Sequence, residues 1–126
     1  MKPRIAIVAQ RWAPEMVGGS EALAWQYAEL LSEDFEVDLL TSTALDYITW
    51  QNALPEGAER VGGVTVRRFP VTGGRAPDFD ERFSLVVRRG RRVTDAEQRD
   101  WLDAQGPVAP ELVLAVACTD ADVVAF

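Results

Sequence analysis

The chain has no histidine, one cysteine (Cys118) and one lysine (Lys2) in 126 residues. Without histidine or a cysteine pair the usual ligand set for zinc is missing, so no metal and no bound cofactor is expected. A lone cysteine cannot close a disulfide within the chain, which fits a reducing, cytoplasmic compartment. No apolar run is long enough to span a bilayer and no signal-peptide pattern precedes the first apolar segment, so no transmembrane segment is expected. Basic residues are outnumbered, 13 Lys and Arg against 20 Asp and Glu, and the net charge of −7 argues against a nucleic-acid partner. Internal repeats and low-complexity segments are also lacking.

Two familiar glycine fingerprints are absent too. Gly18 and Gly19 are followed by Ser20, Glu21 and Ala22, so the dinucleotide pattern Gly-x-Gly-x-x-Gly fails. No Lys-Ser or Lys-Thr follows them either, which excludes a P-loop.

What is present is a chain of globular composition, 48% hydrophobic and 26% charged, and of the size of one domain. Its most informative stretch is Arg4 to Glu21. Arg4-Ile5-Ala6-Ile7-Val8-Ala9-Gln10 is a near-continuous apolar run, as expected of a strand covered on both faces in a parallel sheet. A loop from Gln10 to Gly19 follows, longer than most strand-to-helix turns, and then a helix over Ser20–Ser32. Glycines at a helix mouth let a ligand approach the backbone, and the unpaired N–H groups there favour an anion such as a phosphate. The alternative is that Gly18 and Gly19 only shape the turn, with Ser20 as an ordinary N-cap.

Further along, 35–41 reads as a second strand, 42–63 as a long irregular stretch, and 64–69 as a third strand started by Gly62-Gly63 and stopped by Pro70. A Gly/Pro loop over 72–78 precedes a helix over 80–89 with Phe83, Val86 and Val87 as its apolar face. Thr94-Asp95-Ala96-Glu97 is a capping box opening another helix, closed by Gly106-Pro107. Pro110 begins an apolar helix to about Cys118, and 123–126 reads as a fourth strand. The expected fold is α/β, a Rossmann-like doubly wound parallel sheet in the order 3-2-1-4 of these four strands, incomplete at its C-terminus. In that order strands one and four flank the switch point where ligands bind, and the glycine loop leaves strand one at that crevice.

Pro14-x-x-x-Gly18-Gly19-Ser20-Glu21, after the Arg-Ile-Ala-Ile-Val strand, resembles the start of the GT-B glycosyltransferases of family 4 (group 1). The similarity extends through Leu30-Leu31, the strand Glu36 to Thr41, and Gly62-Gly63-Val64-x-Val66-x-Arg68, and so covers essentially the whole chain. The resemblance implies the N-terminal, acceptor-side domain of a retaining enzyme that moves a sugar from a nucleotide-sugar donor to a sugar or glycoside acceptor. It assigns Gly18, Gly19 and the helix start at Ser20 to the donor diphosphate. In that family the paired glutamates and the nucleotide pocket lie in a second Rossmann-like domain, which nothing here matches. The histidine that some members carry in the N-terminal domain is absent. The implied domain is therefore truncated, inactive alone, and open to self-association, and its catalytic residues are unassigned.

On the acceptor side the candidates are Trp12, Glu21, Asp46, Tyr47 and Trp50. Aromatic faces suit sugar or apolar acceptor surfaces, and a carboxylate accepts hydrogen bonds from hydroxyls. Each has a structural alternative. Glu21 can serve the helix dipole, Trp12 can pack under its own loop, and Tyr47, Ile48 and Trp50 can form a satellite core that pins the long loop. Arg88-Arg89-Gly90-Arg91-Arg92 reads either as a phosphate or acidic-headgroup grip or as a solvated helix end. Asp120 and Asp122 precede a strand, on the side away from such sites. A non-catalytic Rossmann-like module binding a phosphate-bearing ligand or a protein is the alternative function. A receiver-like signalling domain would need an Asp where Phe69-Pro70 ends the third strand.

Overall fold

A computed structural model of the chain describes residues 1–16 and 18–126. Val17, within the expected glycine loop, lies outside the described residues. Five strands, β1 (Arg4–Val8), β2 (Glu36–Ser42), β3 (Gly57–Val61), β4 (Val64–Phe69) and β5 (Val123–Ala125), form one mixed, mostly parallel sheet in the order β3-β4-β2-β1-β5. The helices are α1 (Gly19–Leu31), α2 (Phe79–Arg89), α3 (Asp95–Gln105) and α4 (Pro110–Ala117). This is an α/β fold compatible with a Rossmann-like architecture.

Alternation along the strands decides which helix covers which face. Ile7 of β1, Val37 and Leu39 of β2, and Val64 and Val66 of β4 point to the α1 side, where they meet Ala28, Trp12 and the half-buried Trp25. Ala6 and Leu40 point to the other side and pack with Ala109 and Leu112 at the start of α4. The parallel pairs β1–β2, β1–β5 and β2–β4 leave the carboxyl ends of β1, β2 and β5 on one edge of the sheet, where the loop to α1 emerges.

The expected all-parallel order 3-2-1-4 does not match and is corrected to the five-stranded mixed order. Gly62-Gly63 does not merely start a strand. It is a two-residue turn, with Gly62 at φ 58°, that folds Gly57–Val61 back onto β4 as an antiparallel edge strand. A side chain at Gly63 would also press on Ser32, its Cβ only 2.7 Å from the Oγ. At the opposite, amino end of the sheet, Arg4 fixes three strands together. Its guanidinium lies 2.9 Å from Asp120 and 3.0 Å from Glu36, and its backbone N–H donates to Asp122 at 2.9 Å. Hydrogen bonds from Arg4 hold the Asp120 carboxyl below its ordinary range, and both aspartates are thus strand anchors.

Residues between β4 and α4 form an appendage. The helices α2 and α3 pack on each other through Phe79, Phe83 and Trp101, with ring centroids 6.1 and 6.2 Å apart along that series. The Thr94 capping box opens α3 as expected. The base of this hairpin is tied down by Ala76 N–H donating to Ala104 O at 2.7 Å and by the bridge between Gly73 and Val108.

Candidate functional site

Helix α1 begins one residue earlier than expected. Gly18 is its N-cap, Gly19 its first residue, and Ala22 N–H donates to Gly18 O at 2.9 Å. Ser20 is therefore not the cap; it lies inside the first turn and its hydroxyl donates to Glu21 Oε2 at 3.0 Å. The two glycines differ in what the fold asks of them. A Cβ at Gly18 would lie 2.5 Å from Glu21 Oε2, so glycine there makes room for that carboxylate. A Cβ at Gly19 would meet nothing within 4 Å, and Gly19 is not among the glycines at positive φ. Among the described residues, neither packing nor backbone conformation explains glycine at 19.

Glu21 is held by a residue that sequence reasoning overlooked. Arg11, in the loop after β1, donates from Nε to Glu21 Oε1 at 2.8 Å and from Nη1 to Leu45 O at 2.5 Å. Its guanidinium also sits 5.1 Å from the Tyr47 ring centroid. One arginine thus joins the glycine loop, the first turn of α1 and the loop after β2. The side chains of Arg11 and Glu21 are only 19% and 14% exposed, so most of the water around both charges is gone. Burial resists ionisation of Glu21, but its own backbone N–H, the Ser20 hydroxyl and Arg11 together outweigh it and hold the carboxyl below its ordinary range. The helix start already carries its own anion at neutral pH, neutralised in turn by Arg11. The only sequence signal was an arginine ten positions before an acid, and that spacing has no regular period.

A cleft of about 610 Å³ opens between α1 and the strands β1 and β5. Its polar end is Gln10, Ser20 and Glu21; Val8, Ala24, Tyr27 and Phe126 are among its apolar walls. Gly18 and Gly19 adjoin its polar end without lining it. The expected acceptor-side residues separate into two groups. Glu21, Tyr47 and Asp46 surround Arg11. Asp46 accepts from the Ile48 and Thr49 N–H groups at 3.0 and 3.1 Å and from the Thr49 hydroxyl at 2.7 Å, and these bonds hold its carboxyl low. Most of its accepting capacity is spent within its own turn, while Tyr47 remains exposed.

Trp12 and Trp50 belong to the interior. Trp12 is buried under its own loop, stacked on Trp25 with centroids 4.0 Å apart, and does not line the cleft. From the other side the buried Arg68 lies 5.7 Å from the Trp12 ring centroid, its charge paired with Glu59 at 2.7 Å. Trp50 is buried with Ala44 and Val71, and its indole N–H donates to Gln105 O at 3.0 Å, pinning the base of the α2–α3 hairpin. A satellite core does pin the loop, but without Tyr47 and Ile48, which stay exposed. Among the described residues no cluster of three potential metal-ligating acids or thiols exists, and no helix is long and apolar enough to cross a membrane. No family model, no curated protein and no solved structure matches the chain.

Proposed function

We propose that this chain is the acceptor-side, Rossmann-like domain of a retaining glycosyltransferase that moves a sugar from a nucleotide donor to a sugar or glycoside acceptor. The carrying observation is Gly19. It sits at the first position of α1, at the carboxyl edge of a mostly parallel sheet, and none of the described residues lies within 4 Å of where its Cβ would be. Glycine at a helix start leaves the backbone N–H groups open to close approach, and its presence without a packing or backbone reason among the described residues favours a ligand there. In this reading the donor diphosphate lies against the N–H groups of Gly19 and Ser20. Arg11 offsets the Glu21 charge, so the helix start is not repellent to a second anion. Glu21, ionised and beside the cleft, accepts a hydrogen bond from an acceptor hydroxyl, and Tyr47 offers an exposed ring. A second domain supplies the nucleotide pocket, and the activity is cytoplasmic.

One observation favours a different reading, a non-catalytic Rossmann-like module that binds a protein or a phosphate-bearing ligand: the cleft beside α1 is walled mainly by apolar side chains. Transfer assays on the whole protein that carries this domain, with uridine and guanosine diphosphate sugars as donors, separate the two. Transfer with retained anomeric configuration that is lost in Gly19→Val supports the enzyme. Absence of transfer with every donor, in a protein that is folded, supports the binding module.

A further inference from the structure

The α2–α3 hairpin carries a charge separation that the glycine-loop site does not use. Asp78, Asp80, Glu81, Asp100 and Asp103 lie toward its base, whereas Arg88, Arg89, Arg91 and Arg92 crowd its tip, where the first turn of α3 adds the acids Asp95 and Glu97. All four arginines are exposed. Among the described residues Arg89 alone of the four has an ion-pair partner, Glu97 at 2.5 Å, and Arg88 only donates to the Ser84 carbonyl at 3.4 Å. The side chains of Arg91 and Arg92 make no hydrogen bond among the described residues. A basic last turn suits the dipole of α2, which accounts for Arg88 and Arg89; Arg91 and Arg92 lie in the single 3-10 turn, Gly90–Arg92, that follows. Gly90, at φ 53°, turns the chain where the helix ends, and Arg88, Arg89 and Arg92 then line one cleft of about 370 Å³. Three like charges around one hollow repel each other, and among the described residues only Arg89 of the three is paired with an acid.

We propose that this tip cleft binds a multiply charged phosphate group, either free as a phosphate ester or diphosphate or carried on a lipid headgroup. Guanidinium forks match the oxygens of phosphate in paired hydrogen bonds, and two negative charges answer three positive ones better than a single carboxylate does. The cleft suits one or two phosphates, and the net charge of −7 opposes a long polyanion such as RNA.

Calorimetric titration with inorganic pyrophosphate, at low and at physiological salt, tests the site. The expected result is salt-sensitive binding that weakens about tenfold or more in the triple variant Arg88→Gln/Arg89→Gln/Arg92→Gln, which removes the arginines lining the cleft, and is unchanged in Arg99→Gln, an exposed arginine further along α3. Gly90→Ala, which keeps every charge but strains the turn, is expected to weaken binding as well. Sedimentation with vesicles containing phosphatidic acid, whose headgroup is a phosphate monoester, against phosphatidylcholine alone, identifies the source. Vesicle binding competed by pyrophosphate assigns a headgroup, and pyrophosphate binding without vesicle binding assigns a free phosphate. The proposal is overturned if neither probe binds or if the triple variant binds as the parent does. It is equally overturned if Gly19→Val abolishes pyrophosphate binding while the triple variant retains it, because the anion then belongs to the helix α1 start.

Discussion

Replacing Arg11 with methionine should destabilise the protein by breaking the pair that joins the glycine loop to helix α1. The substitution keeps most of the aliphatic stem but leaves the Glu21 carboxylate, 14% exposed, without its cation at 2.8 Å, and the Leu45 carbonyl without its donor. Breaking a buried pair from one side costs about 3–5 kcal/mol, and the residual exposure here scales that to about 2–4 kcal/mol. For a domain of this size that is a fall of roughly 10 °C in Tm. The pH dependence carries the sharper signature. In the parent the folded pKa of Glu21 lies below its unfolded value, so its contribution is present above the unfolded pKa and fades as pH falls through the folded one. Without Arg11 the backbone N–H and the Ser20 hydroxyl still oppose burial, but one of the groups that lower it is gone and the folded pKa moves upward. The stability gap between parent and variant should therefore be widest near neutrality and should close as Glu21 protonates below about pH 4. Urea denaturation of parent, Arg11→Met, Glu21→Gln and the double variant across that range measures both effects, and the double variant should recover about 1–2 kcal/mol. An Arg11→Met variant within about 0.5 kcal/mol of the parent at pH 7, with no coupling to Glu21, refutes the clamp.

Gly19→Val should leave the fold intact, since its Cβ meets nothing within 4 Å, and thermal unfolding should confirm this while transfer by the whole protein is lost. Gly18→Ala should do the reverse, costing about 1 kcal/mol by pushing Glu21 off Arg11, which chemical denaturation would register. Trp50→Ala should cost about 3–4 kcal/mol and speed amide exchange in α3, because it empties the satellite core and frees the Gln105 carbonyl.

The parts of this fold that were legible in the sequence are those where one physical signal dominates. The Arg4–Val8 and Val64–Phe69 strands are dense in β-branched residues, and the Thr94–Glu97 capping box satisfies two backbone donors by itself. β3 was illegible because Gly-Ala-Glu-Arg-Val is an edge strand exposed along nearly its whole length, with no apolar face to alternate. Its one signal, the Gly62-Gly63 pair between two valines, was read as a strand start when it is a hairpin turn. At the candidate site the loop and the helix start were foreseeable from glycine chemistry. The roles of Trp12 and Trp50 were not, because an indole serves a cleft or a core equally well and only burial decides. Arg11 was missed because a contact between a loop and a helix turn leaves no periodicity to read.

The proposed division of labour, in which this domain gives the donor diphosphate one helix start and a second domain grips the nucleotide, is tested most directly by following backbone amides by NMR while the chain is titrated with uridine and guanosine diphosphate sugars. A helix terminus contributes at most about 2 kcal/mol toward an anion, whereas micromolar affinity requires about 8 kcal/mol. The account predicts millimolar or weaker binding at the helix start, with shifts at Gly18 to Ala22 and at Arg11 that persist when the tip arginines Arg88, Arg89 and Arg92 are replaced by glutamine. Micromolar binding, or shifts that leave the Gly18–Ala22 amides unmoved, would contradict it.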